Sequence, residues 1–252
     1  GTGYGEDGNL WGFEILTGDY SDFRRHFYLA YAPLPGGEQG IRHPWRMAVS
    51  YLLTFLGAEG AAEAAALFGE KERELEIVSY LVEKRFNSPL ACGCGRLFDA
   101  VAALLGVCWE ATYEGQAAVE LGEMVLPPEE GEKISPYPFA VEGEVISPTG
   151  IITGVLADLR KGKTREFIAT RFHNTLLAII IEVVKRVREI TGLVRVALSG
   201  GTWQNRYLLA RAKELLTREG FTVLCHRQVP PNDGGLSLGQ AVVAYRRAVE
   251  CV

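Results

Sequence analysis

Over the first forty residues the apolar positions fall in short aromatic and β-branched runs. Leu10-Trp11-Gly12-Phe13-Glu14-Ile15-Leu16 stops at Thr17-Gly18-Asp19, and Phe27-Tyr28-Leu29-Ala30-Tyr31 stops before Pro33-Leu34-Pro35-Gly36-Gly37. Such runs read as strands, and the short gap between them predicts an antiparallel hairpin. The spacing then becomes helical. Pro44 to Leu56 places Trp45, Val49, Leu52, Leu53 and Leu56 on helical positions, with Pro44 suited to a first turn. Further helical patterns cover 60–68, 71–85, 95–105 and 116–124, so a helical insertion is expected over roughly 44–126. Residues 127–138 read as a loop, 139–146 as a strand and 148–160 as a short helix.

The longest helical pattern runs from Thr164 to Thr191, and its middle, Leu176 to Val184, is apolar almost all round. A helix of that kind is buried, so this one is expected to cross the core. The last quarter alternates. Strands are predicted at 194–198 and 221–225, and helices at 204–218 and 237–250. That βαβα order implies a parallel strand pair with a right-handed crossover.

Composition narrows the class. The chain has 252 residues, 48% of them hydrophobic and 23% charged, which is enough for a sizeable core. A net charge of −5 offers no basic field for nucleic acid. No uninterrupted apolar run reaches the roughly 18 residues of a membrane span, and the N-terminus has no signal-peptide pattern, so no membrane partner and a cytoplasmic location are expected. Five cysteines at this length do not suggest a disulfide framework. Cys92-Gly93-Cys94 is too closely spaced for an ordinary zinc knuckle and reads as small residues packed near a helix start. There is no HExxH pair, no G-x-S-x-G elbow and no Walker A loop.

The chemistry-bearing candidates are glycine turns and a few polar residues. Ser199-Gly200-Gly201 lies where a parallel strand becomes a helix, a place where the backbone can approach an anion. Asn205 lies just beyond it. Gly1-Thr2-Gly3-Tyr4-Gly5 allows the same close approach in a hairpin, or is merely a flexible end. Asp233 follows the last strand, at the edge where open α/β sheets bind ligands; it serves either as a hard-cation ligand or as a helix cap. Asp99 can accept two hydrogen bonds from a ribose diol, or pair with Arg96 one turn away. His173, in Phe172-His173-Asn174, reads as a hydrogen-bonded core histidine.

Taken in order, these pieces resemble the C-terminal part of the HypF carbamoyltransferase family over nearly the whole chain. The resemblance rests on GTGYGEDG at 1–8, His43-Pro44-Trp45-Arg46-Met47, GRLFDAVAALLG at 95–106, YEGQAAVEL at 113–121 and RFHNTL at 171–176. It continues through ALSGGTWQNRYLL at 197–209 and PPNDGGLSLGQAV at 230–242. It implies an α/β fold: an actin/Hsp70-like (ribonuclease H-like) ATPase lobe, with residues 1–252 as the second lobe of a TsaD-like carbamoyltransferase domain. It also implies that the first lobe and a two-histidine metal helix lie outside this sequence, so that the site is incomplete here.

The implied reaction starts from carbamoyl phosphate and ATP, proceeds through carbamoyl-adenylate, and ends on the C-terminal cysteine of HypE, in cyanide-ligand synthesis for [NiFe]-hydrogenase. By resemblance Thr2, Gly3, Ser199, Gly200 and Gly201 hold phosphate. Asp99 binds the ribose, Gly115 and Glu120 line the nucleoside, and Asn205 contacts the adenine side or a hydroxyl. Asp233 contributes to a divalent metal site (zinc, iron or magnesium). Two rival readings are O-carbamoylation of a small hydroxylated metabolite and a HypE-docking module without activity of its own.

Overall fold

The computed structural model describes residues 3–250, with side chains described through Val249. Gly1 and Thr2, part of the first glycine turn, lie outside the described residues. The chain begins with the hairpin β1 (Gly3–Tyr4) and β2 (Leu10–Trp11), then β3 (Glu14–Gly18), β4 (Phe23–Leu29) and β5 (Ala32–Pro33). The run read as one strand over 10–16 is two. The Gly12 N–H leaves the ladder and donates to Glu14 Oε1 at 3.0 Å, and the Phe13 carbonyl accepts from Leu29 N. The chain thereby crosses from one sheet into another. β3 and β4 form the expected antiparallel hairpin, with an irregularity in register at Ile15/Leu16.

Helices follow: α1 (Glu38–Arg42), α2 (Pro44–Phe68) and α3 (Glu72–Lys84). Gly57 breaks α2 with φ 56° and ψ −125°, which divides the expected helix ending at Leu56 from the alanine-rich run after it. The strand β6 (Leu90–Ala91) then returns between β2 and β5. Helices α4 (Cys94–Leu104), α5 (Gln116–Glu123) and the single turn α6 (Pro128–Gly131) come next. The region 44–126 therefore contains a strand as well as helices, and α4 is buried from Leu97 to Leu104. The strand read at 139–146 is a hairpin, β7 (Ala140–Glu142) and β8 (Val145–Ser147), turning at Gly143.

The remaining elements are α7 (Thr149–Arg160), α8 (Arg165–Thr191), β9 (Arg195–Leu198), α9 (Arg206–Arg218), β10 (Thr222–Cys225) and α10 (Leu236–Glu250). Strand orders are β1-β2-β6-β5, β3-β4-β8-β7 and β10-β9. β9 and β10 are parallel with α9 as their crossover, as predicted. Thr164 caps α8 by accepting the Phe167 N–H, and Gly192 ends it in the left-handed conformation. Between these caps Phe172, Leu176, Ile179, Ile180 and Val183 are buried, so α8 does run through the core. Burying each of these side chains is worth about 1.5–3 kcal/mol.

Two helical stretches, Pro44–Lys84 and Arg165–Thr191, reach the length and hydropathy of a membrane span. In α8 67% of the most apolar window is buried within the protein. The first stretch is interrupted at Gly57, and its alanine-rich half is largely exposed.

Candidate functional site: a cleft between three turns

The turn after β9 sets the site. Gly200 has φ 106°, which an L side chain rarely adopts, so the backbone can reverse sharply after Ser199. Gly201–Gln204 form a short 3-10 turn, and α9 starts only at Arg206. The helix expected from Gln204 is delayed because Asn205 is its cap: Asn205 Oδ1 accepts the Leu208 N–H at 3.0 Å. The Gly200 N–H donates to the Pro231 carbonyl at 2.8 Å, which ties this turn to the one carrying Asp233. There Asn232 Oδ1 accepts the Gly234 N–H.

Against these two turns lies the start of α5. Gly115, at φ 78°, precedes the helix, and the face carrying Ala118, Val119 and Gly122 looks across at Asn205 and Tyr207. The cleft between them is open to solvent on one side and has a volume of about 720 Å³, in the usual range for a small-molecule site. Of the residues singled out in the sequence, Gly115, Gly201, Asn205 and Asp233 meet here. Gly3, Ser199 and Gly200 line a neighbouring cavity of about 690 Å³, and Thr202 borders both. The two glycine turns are thus brought together, one cavity away from Asn205. Ser199 Oγ lies 3.0 Å from His226 Nε2.

Two expected residues are placed differently. Glu120 is absent from the cleft lining. It is one turn on from Gln116, whose amide donates to Glu120 Oε1 at 2.7 Å, while the residues flanking it at 118, 119, 122 and 123 take the cleft face. Asp99 is 4% exposed and does not border the cleft; its neighbour Phe98 does. Arg96 Nη2 lies 3.0 Å from Asp99 Oδ2, but misaligned for a hydrogen bond. Asp99 Oδ2 and Arg96 Nη1 are both buried without hydrogen-bond partners. Burial pushes the Asp99 carboxyl up to about 6 against the opposing effect of Arg96. Asp99 is thus a buried carboxylate ion-paired to Arg96 but short of hydrogen-bond donors, a shortfall that a ligand hydroxyl can recover.

Three supporting groups escaped the sequence reading. Gly122 is seven residues from Gly115, which puts both on one helix face, and that spacing was its signal. Tyr207 and Phe98 border the cleft but look like ordinary core aromatics in sequence. The glycine hairpin is pinned from behind. Asp7 accepts from Trp11 Nε1 at 2.8 Å, Tyr31 Oη at 2.6 Å and Arg25 Nη2 at 3.1 Å. The Arg25 guanidinium stacks between the Trp11 and Tyr28 rings, 4.0 Å from each. Burial opposes the Asp7 charge, but these hydrogen bonds outweigh it and hold the carboxyl well below the usual carboxylate range.

Cys92 and Cys94 are buried and free, and Cys92 Sγ donates to Glu14 Oε1 at 2.9 Å. Burial raises both thiols well above their ordinary range, so neither is a nucleophilic thiolate. Among the described residues no three His, Cys, Asp or Glu side chains gather as a metal site. Asp233 is one donor, and the residues present do not fit a metal by themselves.

The family model described as "Carbamoyltransferase, Kae1-like Domain, second subdomain" matches residues 1–240. Carbamoyltransferase HypF of Rhodobacter capsulatus is 37% identical over 247 residues, covering 97% of this chain and 31% of that protein. The probable carbamoyltransferase HypF of Methanocaldococcus jannaschii is 32% identical over 243 residues, 96% of this chain and 31% of that one. The crystal structure of a full-length HypF in its phosphate- and nucleotide-bound form superposes with a TM-score of 0.88 at 39% identity. It matches 98% of this chain, which in turn covers 38% of it. The chain spans about a third of the length of these relatives. With its parallel β9–β10 unit, its mixed sheets and the match over residues 1–240, the chain belongs to the HypF-type Kae1-like carbamoyltransferase family, and its fold is the α/β, actin/Hsp70-like one.

Proposed function

We propose that this chain supplies the nucleotide-holding part of a carbamoyl-transfer site serving hydrogenase maturation. The observation that carries the reading is the cleft itself. Four residues that the motifs single out, Gly115, Gly201, Asn205 and Asp233, converge on it from three turns, and α4 beside it holds Asp99, a buried carboxylate ion-paired to Arg96 with an oxygen that accepts no hydrogen bond. A nucleoside monophosphate has complementary groups: an anion for backbone N–H donors near Gly201 and an amide-reading base edge or hydroxyl for Asn205; the ribose diol falls to Asp99 by the family resemblance alone, since Asp99 lies behind the lining.

The substrate in this reading is carbamoyl-adenylate, made from carbamoyl phosphate and ATP, and the acceptor is the C-terminal cysteine of HypE. The acceptor thiolate attacks the carbamoyl carbon, the bond from that carbon to the phosphate oxygen breaks, and AMP leaves with the electron pair. The part played by this chain is to orient the adenylate and stabilise charge on the departing phosphate. No step is assigned to a metal through Asp233. A cytoplasmic setting belongs to the same proposal.

A docking reading has one observation in its favour. On α10, Leu236, Leu238, Tyr245 and Val249 are at least half exposed, and the helix touches the β3–β4 turn through Arg247 Nε, which donates to the Ser21 carbonyl. The two readings separate when labelled carbamoyl phosphate, ATP and HypE are incubated with a protein containing this chain together with the segments its relatives carry. The transfer reading expects label on the HypE cysteine. Label on a sugar hydroxyl supports O-carbamoylation instead. HypE capture without label on either acceptor supports docking alone.

A further inference from the structure

We infer that His173 is a positioning residue that fixes the Asn205 amide in the cleft, as a neutral imidazole with its proton on Nδ1. The inference rests on the nucleotide reading of the cleft only for its functional consequence; the geometry stands without it. Asn205 Oδ1 is committed to the Leu208 N–H at 3.0 Å, because it caps α9. That fixes the amide orientation, so the group 3.0 Å from His173 Nε2 is Nδ2, a donor. His173 Nε2 must therefore accept. The other ring nitrogen, Nδ1, lies 2.7 Å from the Ala169 carbonyl, an acceptor, and so carries the proton. A helix cap on α9 thus dictates the tautomer of a residue on α8.

The ring is fully buried and held on its other sides by aromatic neighbours. Phe98 and Tyr207, which also border the cleft, are 5.3 and 6.0 Å away between ring centroids, each edge-on. From the cleft side, Gly122 leaves room: a Cβ there would sit 2.8 Å from Asn205 Nδ2. The Asn205 amide is consequently held by three elements, α5, α8 and α9. One Nδ2 hydrogen is spent on His173, and the second remains for a ligand. The next residue completes the support. Asn174 accepts from Tyr207 Oη at 2.6 Å and donates to the Gly131 and Ile134 carbonyls. The Phe172-His173-Asn174 segment therefore supports the cleft from behind its lining residues Phe98, Asn205 and Tyr207, and none of the three lines it.

Two measurements on the 252-residue chain test this. The first needs no ligand: nitrogen-15 NMR of the imidazoles across pH 5–8. The expected result is one ring protonated on Nδ1, unprotonated on Nε2, lost in His173→Gln and unchanged through this range. A His173 ring protonated on Nε2, or one that charges near neutrality, overturns the inference whether or not the cleft binds nucleotide. The second is a double-mutant cycle read by AMP calorimetry, with His173→Leu, His173→Gln, Asn205→Ala and the pair. His173→Leu is expected to weaken AMP about tenfold, and His173→Gln, whose amide oxygen can accept near the Nε2 position, to recover most of that. The His173→Leu effect is expected to vanish in the Asn205→Ala background. Additive losses, or no recovery with glutamine, contradict a positioning role. Failure of the unaltered chain to bind AMP, with the predicted tautomer present, counts against the nucleotide reading alone.

Discussion

At the scale of single residues, the Asn205 amide is the most constrained group of the site, held by its cap on α9 and by His173. Its neighbours decide what a substitution costs. Gly122→Ala adds a methyl in the last turn of α5, which by itself favours the helix by at most about 1 kcal/mol. The same methyl meets an amide that cannot swing away, since Asn205 is held by its cap and by His173. The clash with this fixed amide outweighs that gain, so Gly122→Ala is expected to lower the melting temperature and to weaken AMP binding per folded molecule at least fivefold. Unchanged affinity would show that the Asn205 amide is free to move. Asp7 gives the complementary case. Asp7→Asn removes the charge that Arg25 faces and is expected to loosen the glycine hairpin, measured as faster amide exchange at Tyr4 and Gly5 with little effect on α8.

At the scale of elements, the periodic signals were informative where one element stays in one environment. The buried helix α8, the hairpin β3–β4 and the parallel pair β9–β10 were legible for that reason. The readings failed where a short run serves two environments. Leu10–Leu16 looks like one strand because alternation continues across Gly12, yet its halves belong to different sheets. The start of α9 was misplaced because Asn205 reads equally as a first-turn residue or a cap. Glu120 is placed beside the nucleoside by family spacing, which carries no helical phase; on α5 that phase turns it toward Gln116 and away from the cleft lining. The kink in α2 was half legible. Leu56 ended the first helical pattern, but only the backbone shows that Gly57 takes a conformation closed to other residues. Gly57→Ala is expected to cost about 1–3 kcal/mol, the strain of such a conformation, and to appear as a lower melting temperature with AMP affinity per folded molecule unchanged. Full stability in that variant would mean that α2 tolerates a straight path.

At the scale of the whole molecule, acid stability is a sum of opposed terms. His173 is buried neutral, and burial lowers it to about 4 against the opposing effect of the Ala169 carbonyl. Its unfolded value is near 6.5, so the unfolded chain takes up a proton first. The stability this group provides is full above about pH 6.5 and falls away toward pH 4. Asp99 acts the other way, because its folded value is raised to about 6. Below that pH the folded state binds the proton more tightly, so Asp99 stabilises the fold on acidification. The two largely offset each other between pH 6 and 4. Urea titrations are expected to show a shallow dependence in the unaltered chain, a shallower loss or a gain on acidification in His173→Gln, and a steeper loss in Asp99→Asn. Identical slopes in all three would contradict these assignments.

The same Asp99 bears on the account as a whole. The proposal that this chain holds a nucleoside monophosphate draws on the sequence motifs, the converging turns and the buried Asp99 beside Arg96. The direct test is an AMP titration by calorimetry on the unaltered chain and on Asp99→Ala at pH 7.5, where the carboxylate is charged. The account predicts saturable one-to-one binding by the unaltered chain, weakened at least tenfold in Asp99→Ala. Equal affinity in both, or no heat from either, would contradict it.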